Sequence, residues 1–183
     1  GAFGDGEMWF HIDSGYSSKP YLYTFIYGLT LPSTGGNTLF SNMYKAAAAV
    51  PPALREKLKG RRALHIHEYK RAERVDLSQD ISGSPHFWHP VFIRHPSTGR
   101  ESLFVDRLMT QAIEGLEAAE SDDILAQLYE IGERKEFIYE HVWQLGDLVM
   151  WDNLATIHAR TYFSPDEPRL LRRCTVEGSG VSG

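Results

Sequence analysis

In GDLVMWDNLATIHARTYF, residues 146–163, a turn glycine opens an apolar run from Leu148 to Trp151. The run breaks at Asp152 and Asn153, and His158 follows this strand and turn. Short apolar and β-branched runs bounded by Gly, Asn and Asp have the pattern of strands. IYEHVWQ at 138–144 precedes the same glycine, so Ile138 to Asn153 is predicted to form a hairpin, and RLLRRCTV at 169–176 the last strand. Upstream the pattern recurs. YLYTFIYGLTL at 21–31 stops at Pro32 and the turn cluster Ser33 to Gly36, TLFSN at 38–42 is a second run, and RALHIHEYK at 62–70 a third. HPVFIRH and RESLFVD flank a PSTG turn in a predicted hairpin from His89 to Asp106.

Helical stretches fall between these strands. Ser41 or Asn42 can cap MYKAAAAV, Pro51 and Pro52 stop it, and ALREKLKG closes at Gly60. Ser121 is placed to cap a helix over 122–134, where Ile124, Leu125, Leu128 and Ile131 share one face. Arg71 to Pro85 lacks periodicity and is expected to be a long loop over the fold, a kind that often covers a site. Many short strands with two or three peripheral helices make the fold class mainly β, of jelly-roll type. A chain of 183 residues suits one domain, 1–183.

The formal net charge is -5 and no Lys/Arg cluster is dense, so no nucleic-acid partner is expected. No apolar run approaches the ~18 residues that span a bilayer, and GAFGDGEMWF lacks the basic start and apolar centre of a signal peptide. A cytoplasmic protein without a membrane partner is the expectation. One cysteine, Cys174, excludes an intramolecular disulfide and any Cys-based metal cluster. Eight histidines, at 11, 65, 67, 86, 89, 95, 141 and 158, are the unusual supply, so a transition-metal site would be built from imidazole and carboxylate.

In FHID, His11 and Asp13 are two apart, and on an extended segment both side chains leave one face. With a further histidine they would form the two-His, one-carboxylate arrangement that binds non-haem Fe(II) and leaves positions open. H-x-D alone is weak, because a surface histidine near a turn aspartate is its commoner meaning. His65 with His67, and His86 with His89, could also chelate, but neither pair has a carboxylate and a downstream cation in matching positions. On a strand, Arg169, Leu171, Arg173 and Thr175 would share a face and point two guanidinium groups to the same side. Inward cations need anions, and the Arg fork suits a carboxylate; a solvated basic edge is the plainer alternative.

Taken in order, H-x-D at 11–13, GGNT at 35–38, WDN-x-x-x-x-HAR at 151–160 and R-x-x-x-R at 169–173 resemble the taurine dioxygenase and chlorophenoxyacetate dioxygenase family of Fe(II)- and 2-oxoglutarate-dependent oxygenases. The resemblance runs from His11 to Thr175 and implies a double-stranded β-helix. It makes His11, Asp13 and His158 the iron ligands, with no catalytic residue beyond the metal centre. Arg169 and Thr38 would hold the distal carboxylate of 2-oxoglutarate, and Arg173 would face substrate or cosubstrate. The implied cofactors are Fe(II), 2-oxoglutarate and O2, and the implied reaction hydroxylates a small, anionic organic substrate with release of succinate and CO2.

Ser14, Tyr16 and Tyr23, the loop from His67 to Trp88, and Arg160 are expected around the substrate. In this family H-x-D normally follows a substantial N-terminal segment; with the motif at residue 11, that segment is expected to be lacking and a strand edge to be free. Open edges would allow a homo-oligomer. Two other readings stay open: a cupin-like metalloenzyme that uses His65 and His67 without 2-oxoglutarate, and a noncatalytic binding domain on the same fold.

Overall fold

Period-two runs interrupted by glycine, proline and aspartate fold into antiparallel strands in two facing sheets. The computed structural model describes residues 7–67 and 77–183. Its first half contains β1 (Met8–His11), β2 (Tyr21–Thr30), β3 (Thr38–Asn42), α1 (Met43–Ala49), α2 (Pro52–Leu58) and β4 (Arg62–Ile66). Then follow β5 (His86–Pro90), β6 (Phe92–Arg94), β7 (Glu101–Leu103), β8 (Thr110–Ile113) and α3 (Ala118–Gly132). A 3-10 turn (Lys135–Phe137) leads to β9 (Ile138–His141), β10 (Leu148–Asp152), β11 (Thr156–Arg160) and β12 (Leu170–Glu177).

The first sheet has the order β1-β11-β3-β9 and the second β10-β2-β12. From β9 onward the chain changes sheet at every step, and β1, β2 and β3 do the same. This is the jelly-roll arrangement. A third sheet, β5-β4-β8, and the β6–β7 hairpin flank it.

Alternation along β3 and β11 gives the first sheet two unlike faces. Ile157 and Ser41 turn toward the helices, where Gly132 lets α3 approach: a Cβ there would lie 3.3 Å from Met43 Cε and 3.6 Å from Ile157 Cδ1. Met43, Ala46, Ala47, Leu125, Leu128 and Ile157 belong to the apolar core on this side. Phe40 and His158 turn the other way, toward Trp151 of the second sheet, at ring distances of 5.2 Å and 4.6 Å. The core thus sits beside the space between the sheets and supports its wall. No helix of the described residues is long and apolar enough to cross a membrane.

Three sequence expectations change. Ile138 to Asn153 is not a hairpin: β9 pairs with β3 and β10 with β2, so the Gly146 turn is a corner between sheets. Gly28 and this turn hold each other, through Gly28 N–H to Asp147 O at 3.0 Å and Gly146 N–H to Gly28 O at 3.1 Å. Local turn chemistry is the same for a hairpin and a corner, and the partners are set by the edges that β2 and β3 offer. Ser121 does not cap α3, which begins at Ala118 after Glu117; the Ser121 hydroxyl instead accepts the Ile113 N–H at 2.9 Å. The hairpin expected over His89 to Asp106 is confined to Phe92–Arg94 and Glu101–Leu103, because β5 is drawn to β4. Residues 68–70 of the strand expected at 62–70, and 71–76 of the loop expected at 71–85, lie outside the described residues.

Candidate metal centre

β1 and β11 are neighbours, and His11 lies directly opposite His158. Asp13 follows two residues beyond His11. The three side chains converge, with one ligand atom from each within 4.8 Å of the others, and all are buried. His11 Nδ1 donates to Trp9 O at 2.9 Å, which leaves Nε2 bare and facing the carboxylate. From Asp13 Oδ1 the His11 and His158 Nε2 atoms are 3.8 Å and 3.7 Å away, too far for hydrogen bonds. Imidazole nitrogens and a carboxylate oxygen that face one another without a shared proton suit a cation between them, and this donor set fits Fe(II).

Charge in the site follows from burial. Burial pushes the His158 pKa down to about 3, helped by His11, so its imidazole is neutral and able to ligate. For Asp13, burial opposes ionisation, but the His158 and His11 imidazoles, the Arg173 guanidinium and the Thr24 hydroxyl outweigh it and hold its pKa below the ordinary value. Thr24 Oγ1 donates to Oδ2 at 2.7 Å, and Arg173 Nη2 lies 2.7 Å from Oδ1. Among the described residues no other group of three His, Cys, Asp or Glu side chains comes as close together.

Ser14, next to Asp13, has φ +57°, a left-handed conformation unusual for a side-chain-bearing residue. It belongs to a pocket of about 420 Å³ lined also by Tyr16, Tyr21, His67, Arg173, Cys174 and Thr175. Tyr23, expected here, is absent from that lining; it pairs with Asp152 and Val176, and strand parity turns it to the face opposite Thr24.

A second polar locus lies along β3 and β11, beyond Phe40 and His158. Trp143 Nε1 donates to Thr38 Oγ1 at 3.0 Å, so the hydroxyl proton is available to donate. Arg169 Nε donates to Gly36 O at 3.1 Å. The Arg160 and Arg169 guanidinium carbons lie 5.1 Å and 5.7 Å from the Phe163 ring centre. Burial first, then the charge of Arg160, pushes the Arg169 pKa down to about 10. Two cations crowded at a buried ring make a receptive place for an anion. The two arginines expected on one strand face have different immediate neighbours: Arg169 lies beside Arg160, and Arg173 pairs with Asp13.

The other histidine pairs part company. His65 is fully buried beside Asp106, with Nδ1 3.6 Å from the carboxylate, whereas His67 lies past the end of β4 against Tyr16. His86 is exposed, while three residues on, across the strand, His89 is buried with Nε2 2.9 Å from Ser17 O. Sequence reasoning missed Thr24, Trp143, Phe163 and Asn153. From the sequence Arg160 is expected only as a pocket residue, although its place two residues from His158 is a usable signal for a shared face.

Residues 2–175 match the family model described as taurine catabolism dioxygenase TauD, TfdA family. The chain is 34% identical over 179 residues to the alpha-ketoglutarate-dependent 2,4-dichlorophenoxyacetate dioxygenase of Cupriavidus pinatubonensis, covering 96% of this chain and 61% of the relative. It is 32% identical over 186 residues to pentalenolactone F synthase of Streptomyces arenae, covering 93% and 62%. The chain therefore spans about three fifths of the length of these relatives. Its fold matches a crystal structure of AAD-2 in complex with Mn(II) and N-oxalylglycine with TM-score 0.81 and 29% identity, over 92% of this chain and 68% of that one. The order of its motifs, the jelly roll and the match over nearly its whole length agree, and this chain belongs to the TauD/TfdA dioxygenase family.

Proposed function

We propose that the chain is a single Fe(II)- and 2-oxoglutarate-dependent dioxygenase domain that hydroxylates a small, anionic organic substrate. The observation that carries this reading is the buried meeting of two imidazole nitrogens and one carboxylate at non-hydrogen-bonding distances. In this reading His11, Asp13 and His158 hold the iron. Bound iron and 2-oxoglutarate supply oxidation by O2, which turns the cosubstrate into succinate and CO2 and leaves a hydroxyl group on the substrate.

The protein's own part is orientation and charge. Thr24 occupies Asp13 Oδ2 and so directs Oδ1 toward the histidines. Arg169 and Thr38 take the far carboxylate of 2-oxoglutarate, with the charge of Arg160 beside them and the Phe163 ring excluding water. Arg173, Ser14 and Tyr16 face the substrate from the pocket next to Asp13. An anionic substrate is supported by Arg173 in that lining and by the relative named for 2,4-dichlorophenoxyacetate, itself a carboxylate. The manganese and dicarboxylate in the AAD-2 structure support the same pairing of metal and cosubstrate.

A cytoplasmic location belongs to this reading, supported by the single, exposed and free Cys174. So does a homo-oligomer formed through the outer face of β10-β2-β12, where Tyr27, Leu148, Met150 and Val176 are exposed. The test of function is anaerobic titration of the metal-free protein with Fe(II) and then 2-oxoglutarate, following the weak visible absorption of the chelated cosubstrate. The band is expected in the wild type and absent in His158→Ala. In Arg169→Ala the affinity for 2-oxoglutarate is expected to fall on the order of 10- to 100-fold, the value of a charge-assisted hydrogen-bonded pair. A wild type that gives no band at saturation would sink the reading.

A further inference from the structure

We infer that Asn153 is a positioning residue for the metal centre: its carboxamide clamps the Asp13 backbone and so sets where the Asp13 carboxylate stands relative to His158. The inference rests on the metal role proposed for Asp13. β1 ends at His11, and the chain then turns, with Gly15 N–H returning to Ile12 O at 3.2 Å. Asp13 is thus beyond the β1–β11 ladder, yet only 2% exposed. Its backbone N–H and C=O need partners, since buried and unpaired they would each cost free energy.

Asn153 supplies both. Its Oδ1 accepts the Asp13 N–H at 2.9 Å, and its Nδ2 donates to Asp13 O at 2.9 Å. The second Nδ2 hydrogen goes to Tyr21 O at 2.8 Å, and the Asn153 backbone N–H goes to Leu22 O at 2.9 Å. A carboxamide carries the donor and acceptor of a peptide, so the two-bond ring with Asp13 reproduces one step of strand pairing where no strand remains. Asn153 is fully buried and opens the turn from β10 to β11, the strand that bears His158. One short turn therefore holds Asp13 through its backbone and carries His158 on its far side. Aspartate could not serve, because an acceptor-only carboxylate would face both the Asp13 and the Tyr21 carbonyls.

The test is calorimetric titration of Mn(II) into the full chain as wild type, Asn153→Asp, Asn153→Ser and Ser121→Ala, with the melting temperature of each metal-free protein recorded. Ser121→Ala removes a buried hydrogen bond to Ile113 N–H in a different part of the fold and reports the effect of lost stability alone. The Asn153 variants are expected to remain folded and to bind Mn(II) about 10- to 100-fold more weakly, the usual effect of losing a group that orients a ligand. Ser121→Ala is expected to keep wild-type affinity despite a lower melting temperature. If Asn153→Asp does not fold, Asn153→Ser carries the comparison. Folded Asn153 variants with unchanged affinity overturn the inference, and so does a loss of the same size in Ser121→Ala. A wild type that binds no Mn(II) instead overturns the metal reading itself, so the two failures are distinct.

Discussion

His89 shows how one buried side chain couples the fold to pH. It is 1% exposed, packed near Phe87 and Phe104, and its Nε2 lies 2.9 Å from Ser17 O in the turn beyond Asp13. Burial, with the charge of His65 as the next cause, pushes its pKa down to about 4 from 6.5. Between those values the unfolded chain binds a proton that the folded one refuses, so stability is whole above pH 6.5 and declines as pH falls toward 4. The decline from this residue alone is on the order of 3 kcal/mol. His89→Gln keeps a donor for Ser17 O and does not titrate. Urea melts at pH 7 and pH 4.5 should therefore show a smaller acid loss in the variant, and equal losses in the two proteins would refute the assignment.

The turn between β2 and β3 shows an element positioning a functional side chain. Gly35 and Gly36 have φ of +74° and +65°, and a Cβ on Gly35 would lie 2.1 Å from Tyr162 O. On Gly36 it would lie 2.9 Å from Arg169 Nε, the same atom that Gly36 O holds. Gly36→Ala should cost about 1–2 kcal/mol in backbone strain and displace the arginine. The expected result is a folded protein with about tenfold weaker affinity for 2-oxoglutarate and unchanged affinity for Mn(II). Unchanged 2-oxoglutarate affinity would remove Arg169 from the role proposed for it. Gly35→Ala, which meets backbone and not a flexible side chain, should yield little folded protein.

The whole molecule has two unlike sheets. The first is backed by α1 and α3 and the apolar core, whereas the outer face of the second leaves Leu148 66% and Met150 58% exposed among the described residues. Apolar area gathered on one sheet face is a drive toward association. Sedimentation velocity at rising concentration should show a growing oligomer fraction, and Leu148→Lys with Met150→Lys should abolish it without lowering the Mn(II) affinity, since neither side chain faces the site. A wild type that remains monomeric across the range would exclude the homo-oligomer.

Local regularities were legible without coordinates. Runs of aromatic and β-branched residues bounded by turn residues mark β2, β3 and β12, and Asn42 is one of two residues able to cap α1, where its Oδ1 does accept the Lys45 N–H at 3.1 Å. The i, i+2 spacing that puts His11 and Asp13 on one side is equally local, and the order of motifs pointed to His158 as their companion. What the amino-acid string could not decide is which edges meet. β9 and β10 look like a hairpin along the chain but join opposite sheets, because β3 and β2 compete for them across space. Arg169 comes to lie beside Arg160 and Arg173 beside Asp13, neighbours that no local spacing names. Asn153 and Thr24 reach Asp13 only once the sheets face each other. Spacing and propensity act over a few residues and are written in the sequence; the partners of a buried polar group come from segments far along the chain, and only tertiary packing selects them.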